Sequence, residues 1–168
     1  GDRVIFEPVQ VLRVGAHEWD PASHFWGAPC RNNHAPALGV DREQRLYHFV
    51  GVSAAASWSN LAIVMRTSDD NGAHWSRPRL IAPEHTTGHM PCSSFVVVRD
   101  GAVFLLPVDA RGNSALFISR DRGDTWTQSK GLIRGIHAGV VELPDGRLLG
   151  LGRGGDIDGK MPMSLSSD

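Results

Sequence analysis

Three histidines, His34, His89 and His137, each open a stretch that runs into apolar residues, and each precedes a serine, Ser68, Ser119 or Ser166, by about thirty residues. Imidazole is the side chain whose ordinary pKa lies nearest neutrality, which suits it to giving or taking a proton. Arg153 ends the stretch LLGLGR that follows His137, and a guanidinium fork is the natural grip for a carboxylate. Asp109 and Asp156 are candidates to fix a histidine tautomer or share its proton. Arg111, Asp158 and Trp58 fall in neighbouring loops and complete a set suited to a polar, anionic or hydroxyl-rich ligand. For each histidine three uses compete: touching a ligand, making a structural hydrogen bond, or holding a metal. The third is the weakest, because no closely spaced pair anchors an ion. His17, His24, His48, His74 and His85 share no register and read as incidental.

The elements that position these residues repeat. SDDNGAHW at 68–75 and SRDRGDTW at 119–126 share the frame Ser-x-Asp-x-Gly-x-x-Trp, and Ser166-Ser167-Asp168 could open a third copy. Around the boxes, runs of Val, Leu, Ile and Phe alternate with Asp-Gly, Arg-Gly and Pro-Asp-Gly turns, and no window carries a helical stripe. Four short strands about every 50 residues is the period of a propeller blade. The reading is therefore all-β: about three four-stranded antiparallel blades, part of a propeller. Residues 1–33 give the outer strand of a preceding blade and a long loop, 34–88 and 89–136 one blade each, and 137–168 an incomplete one. Ser68, Asp70, Gly72 and Trp75, with Ser119, Asp121, Gly123 and Trp126, are structural: turn-forming polar groups, a permissive glycine and an indole buried between sheets.

Antiparallel order also sorts the loops. The starts of first strands and the loops joining second to third strands share one face, nearest the axis. That face collects His34, His89, His137, Trp58, Asn60, Asp109, Arg111, Asn113, Arg153, Asp156, Asp158 and Lys160, and the loop 17–33 adds Glu18, Trp19, Asp20 and Trp26. The hairpin turns and the boxes lie opposite.

The chain has 168 residues, with seventeen basic against eighteen acidic ones and no basic run, which gives no footprint for nucleic acid. Its apolar runs are too short to insert in a membrane. Cys30 and Cys92 fit one disulfide or two thiols equally well.

The boxes, in register between third and fourth strands, resemble the Asp-box repeat of the sialidase superfamily across essentially the whole chain. That resemblance implies a closed six-bladed propeller, so the sequence reads as a fragment with the rest of the propeller packing on both open edges. It implies a glycan ligand and no cofactor. Sialidases grip the sugar carboxylate with three arginines and use an Asp acid/base and a Tyr nucleophile activated by Glu. Arg153 corresponds to one gripping arginine. Where sialidases place the Glu this chain has His137; Glu142 lies five residues later. The single tyrosine, Tyr47, is not at the nucleophile's place. GRGGDIDG and MPMSLSSD are similar to a sialidase-like group of mostly unassigned function, often exported by bacteria, which implies a secreted or periplasmic location. The expected function is a glycoside hydrolase acting on an acidic or polar glycan, with His137 or His89 as acid/base. A non-catalytic glycan-binding propeller, or a lyase with a His base and Arg charge neutralisation, is the alternative.

Overall fold

A computed structural model describes residues 32–53, 61–81, 89–91 and 93–166. These form three antiparallel sheets in chain order. The first contains β1 (Asn32–Val40), β2 (Leu46–Ser53), β3 (Ala62–Ser68) and β4 (Arg79–Leu80). In the second, β5 (His89–Pro91) and β6 (Val96–Val98) both pair with β7 (Val103–Ala110), which leads to β8 (Asn113–Ser119) and β9 (Thr127–Gln128). The third has β10 (Ile136–Glu142), β11 (Leu148–Arg153) and β12 (Met163–Leu165). The only helical turn among the described residues is the 3-10 turn Arg99–Gly101. The blade reading holds, with irregular inner strands: β1 and β10 each carry a register shift, and the inner strand of the second blade is split. Phe95, between its halves, turns into the core and stacks against Tyr47.

Alternation along the strands gives each sheet two faces. One face of the second sheet sends Phe104, Leu106, Val108, Ala115 and Phe117 against Tyr47, Phe49, Ile63 and Met65 of the first. Its other face sends Val103, Leu105 and Leu116 against Ile133, Val140 and Leu148. Each fully buried side chain of this kind stabilises by roughly 1.5–3 kcal/mol, so these two seams hold the blades in order. On the far face of the third sheet Val141, Leu151, Met163 and Leu165 remain exposed.

Both boxes are built alike, which explains the repeated motif. Ser119 Oγ donates to Asp121 Oδ1 at 2.7 Å and accepts Gly123 N–H at 2.8 Å. Ser68 does the same with Asp70 and Gly72, at 2.8 and 2.9 Å. The glycines have φ of +86° and +91°, a conformation that side chains resist. Each indole donates back to its box glycine's carbonyl, at 3.0 Å from Trp75 and 2.9 Å from Trp126. Asp70 is held down to about 2 by the backbone N–H and the ring of His74, and Asp121 to about 2 by the hydroxyl and N–H of Thr125. Trp126 is buried and meets Phe49 edge-on, as a plug between blades should. Trp75 departs from the expected burial: it is only half-buried, against His48, because no described sheet covers that side of the first blade. Between the second and third blades the seam widens into a crevice of about 450 Å³ lined by residues including Leu105, Leu116 and Ile133.

Polar clamps join the hairpin ends. Arg122, from the second box, reaches Asp41 at 2.8 Å and Glu43 at 2.5 Å on the first hairpin. Asp41 is buried; the oxygen that Arg122 reaches also accepts Tyr47 O–H, and the other accepts the N–H groups of Glu43 and Arg45. Burial pushes its carboxyl up, but Arg122 and these donors outweigh it and leave the pKa below the ordinary value.

Candidate functional site

The box serines calibrate the three blades against one another. Ser68 lies opposite Leu46, Ser119 opposite Phe104, and Ser166 bonds through its backbone to Leu148. Five residues further along each second strand stand Gly51, Asp109 and Arg153, in equivalent places. Their partners on the inner strands are His34, Met90 and Ile136. The three histidines are therefore not equivalent. His34 is in register, His89 comes one residue early, and His137 one residue late, within a bulge between Ile136 and Gly139.

That slip decides where the rings go. His89 pairs with Ala110, so it faces the first blade; it is buried and stacked on Phe117, with ring centroids 5.5 Å apart. Asp109 faces the third blade, on the opposite side of the same sheet. The expected convergence of the histidines is thus corrected for His89: alternation turns it into the seam. His34 is placed by its backbone alone, and Trp58, Asn60, Cys30, Cys92 and the loop 17–31 lie outside the described residues.

The structure does bring His137 to Asp109. The backbone N–H of His137 donates to Asp109 Oδ1 at 2.6 Å, and its ring Nδ1 lies 3.1 Å from Oδ2. One carboxylate thus grips both the main chain and the ring of one residue. Its side chain is 13% exposed and that of His137 31%, so the pair sits at a surface opening rather than in the core. The backbone of His137 has φ +54°, unusual for a residue with a side chain. With Asp109 Oδ2 beside Nδ1, Nε2 is the ring nitrogen left open to a ligand.

The other candidates lie on strand ends and loops at the same end of the blades. Arg153 is exposed opposite Ile136, one residue from His137. Arg111 is exposed in the two-residue turn Arg111–Gly112, with positive φ at both positions, as a tight hairpin requires. It follows Asp109 by two residues, at the same end of the blade. Asp156 and Asp158 are exposed on the loop closed by the Ile157–Lys160 bridge. Asp109, not Asp156, partners His137. Among the described residues no group of three His, Cys, Asp or Glu is placed to hold a metal.

Ser114 was not singled out in the sequence. It lies directly across β7–β8 from Asp109 and is fully buried. Its Oγ donates to Gly135 O at 2.9 Å and accepts Ala138 N–H at 3.2 Å. A polar residue on the apolar face of NSALFIS, opposite the aspartate, was the available signal.

A family model described as BNR repeat-like domain matches residues 9–168. No curated protein matches the chain. Among solved structures, the Hadza microbial sialidase Hz136 is similar over 82% of this chain and 32% of its own length, with 21% identity and a TM-score of 0.65. The NanB sialidase from Streptococcus pneumoniae, in mutant form, is similar over 81% of this chain and 37% of its own, with 12% identity and a TM-score of 0.65. For the intramolecular trans-sialidase from Ruminococcus gnavus the figures are 80%, 51%, 13% and 0.61. The chain thus spans about a third of the length of the first two and half of the third. At these identities the likeness is one of fold: three blades of a sialidase-like propeller.

Proposed function

Because the chain belongs to the BNR repeat-like domain family, we propose that it acts as a carbohydrate-active enzyme of glycosidase type on an acidic or otherwise polar glycan. The observation that carries this reading is the His137–Asp109 pair, with Arg153 ending β11 at the same end of the third blade. With Asp109 Oδ2 beside Nδ1, Nε2 gives or takes the proton at the scissile bond, and the carboxylate steadies the imidazolium that forms. Arg153 holds the anionic group of the sugar through its two-pronged donor set. Arg111 and Asp158 line the approach, and further groups come from outside the described residues. The fold shared with sialidases and a trans-sialidase supports the substrate class. A polymeric glycan as substrate also fits a location outside the cytoplasm. No helix among the described residues is long and apolar enough to cross a membrane.

Incubation with sialylated and uronate-bearing glycans, read by mass spectrometry and calorimetry, tests the proposal. Release of a hydrated acidic sugar, abolished by His137→Ala, supports it. An unsaturated uronate product would replace hydrolysis by elimination. Binding without turnover would make the protein a glycan-binding module, and neither binding nor turnover would remove the glycan reading.

A further inference from the structure

We infer that Ser114 is a positioning residue for His137, acting with Asp109 as a two-residue brace across the seam between the second and third blades. The chain crosses this seam once, through residues 129–135, before β10 begins. Five backbone groups from Ile133 to Ala138 are then gripped in succession. Ser114 N–H donates to Ile133 O at 2.9 Å, and Ile133 N–H donates to Ser114 O at 2.7 Å. Ser114 Oγ donates to Gly135 O, Asp109 Oδ1 accepts His137 N–H, and Ser114 Oγ accepts Ala138 N–H. Ser114 and Asp109 are register partners, so the brace is one rung of the β7–β8 ladder.

The consequence is conformational. His137 sits at φ +54° inside a bulge, a state that relaxes unless its flanks are held. Ser114 fixes the carbonyl two residues before it and the N–H one residue after it. Asp109 fixes the N–H and the ring of His137 itself. Only with all three held does Nδ1 stay against Oδ2. The hydroxyl is buried and bonds backbone on either side of His137, so its contribution is orientation. This rests on the reading of His137 as the proton-handling residue, yet the orientation itself is measurable without any glycan.

The test is the imidazole tautomer of His137, read by long-range ¹H–¹⁵N correlation on the 168-residue chain. Wild type should show Nδ1 protonated and Nε2 unprotonated in the neutral ring. Ser114→Ala should move both nitrogens toward the averaged shifts of a ring that samples both tautomers, while the His48 signals stay in place. Ser114→Thr, which keeps the hydroxyl, should restore the wild-type pattern. A Ser114→Ala protein with the wild-type tautomer would overturn the brace. If Ser114→Ala does not fold, amide exchange of the wild type decides. Slow exchange at His137 and Ala138, matching the β7–β8 ladder, supports the brace; exchange as fast as the Asp145 turn overturns it. Failure on every glycan would leave these outcomes standing, and their failure would leave the glycan assay standing.

Discussion

Asp109 and Arg153 occupy the same place in successive blades, five residues beyond the strand positions paired with Ser119 and Ser166. One blade offers its carboxylate to the next blade's histidine; the next offers a guanidinium in the equivalent position. Asp109→Asn retains an oxygen for His137 N–H but turns an NH₂ group toward Nδ1. Stability should fall by about 1–3 kcal/mol. Turnover on a glycan substrate, if established, should fall by about 10²-fold or more, because the ring is driven to the wrong tautomer. Thermal unfolding beside turnover checks the split.

His137 is constrained twice, by its ring and by its backbone. Its φ of +54° suits Asn and resists β-branched residues. His137→Asn should keep the fold with little change in melting temperature, whereas His137→Val should destabilise by roughly 1–3 kcal/mol. Both, like His137→Ala, should lower turnover by about 10²-fold or more if the ring transfers a proton. Equal stability of the Asn and Val variants would contradict the left-handed conformation.

Arg153 is exposed, and its worth is in what it holds. Arg153→Lys keeps the charge and loses the fork. Affinity for an acidic glycan should weaken, with KM rising more than kcat falls, while a neutral analogue should be bound as before. Calorimetry with paired acidic and neutral ligands reads the difference.

The Asp41 clamp makes stability depend on pH. Its carboxyl lies below the ordinary 3.8 when folded, so the stabilisation is complete above that value. It is lost as pH falls through the lowered one, since the unfolded chain then binds more protons. Arg122→Ala should lower stability at neutral pH, because a buried carboxylate loses its cation. It should also flatten the dependence below pH 3.8. Denaturant unfolding of both proteins at neutral and acid pH is the measurement.

How much of this the sequence disclosed follows from what each level depends on. The boxes and Pro144-Asp145-Gly146 are local chemistry, and Gly146 N–H does close that hairpin onto Leu143 O at 2.9 Å. Blade order and the sorting of Asp109, Arg111 and Arg153 to one end followed from antiparallel succession alone. The orientation of the histidines did not, because it depends on a single-residue register. Phe95 breaks one inner strand and a bulge shifts another, so His89 and His137 face different seams despite similar flanking sequence. Ser114 was hidden for the same reason: its importance lies in a neighbour across the ladder and in a third blade.

Where β11 meets the segment entering β10, backbone lies against backbone, and this gives the sharpest structural test. A Cβ on Gly152 would lie 2.2 Å from Arg134 O and 2.9 Å from Gly135 Cα. Neither atom is the end of a flexible side chain, so the collision cannot be relieved by a rotamer. Gly152→Ala must move β11 away from the start of β10, and with it Ile136 from its pairing with Arg153. The expected loss is about 1–3 kcal/mol, the range for an overfilled core. The second blade's boxed turn, far from this seam, should keep its Trp126 environment. His137 should lose its fixed tautomer as Ser114→Ala does, though Ser114 is intact. Near-native stability together with an undisturbed His137 resonance in Gly152→Ala would mean that the two strands do not approach this closely, and the seam would have to be redrawn.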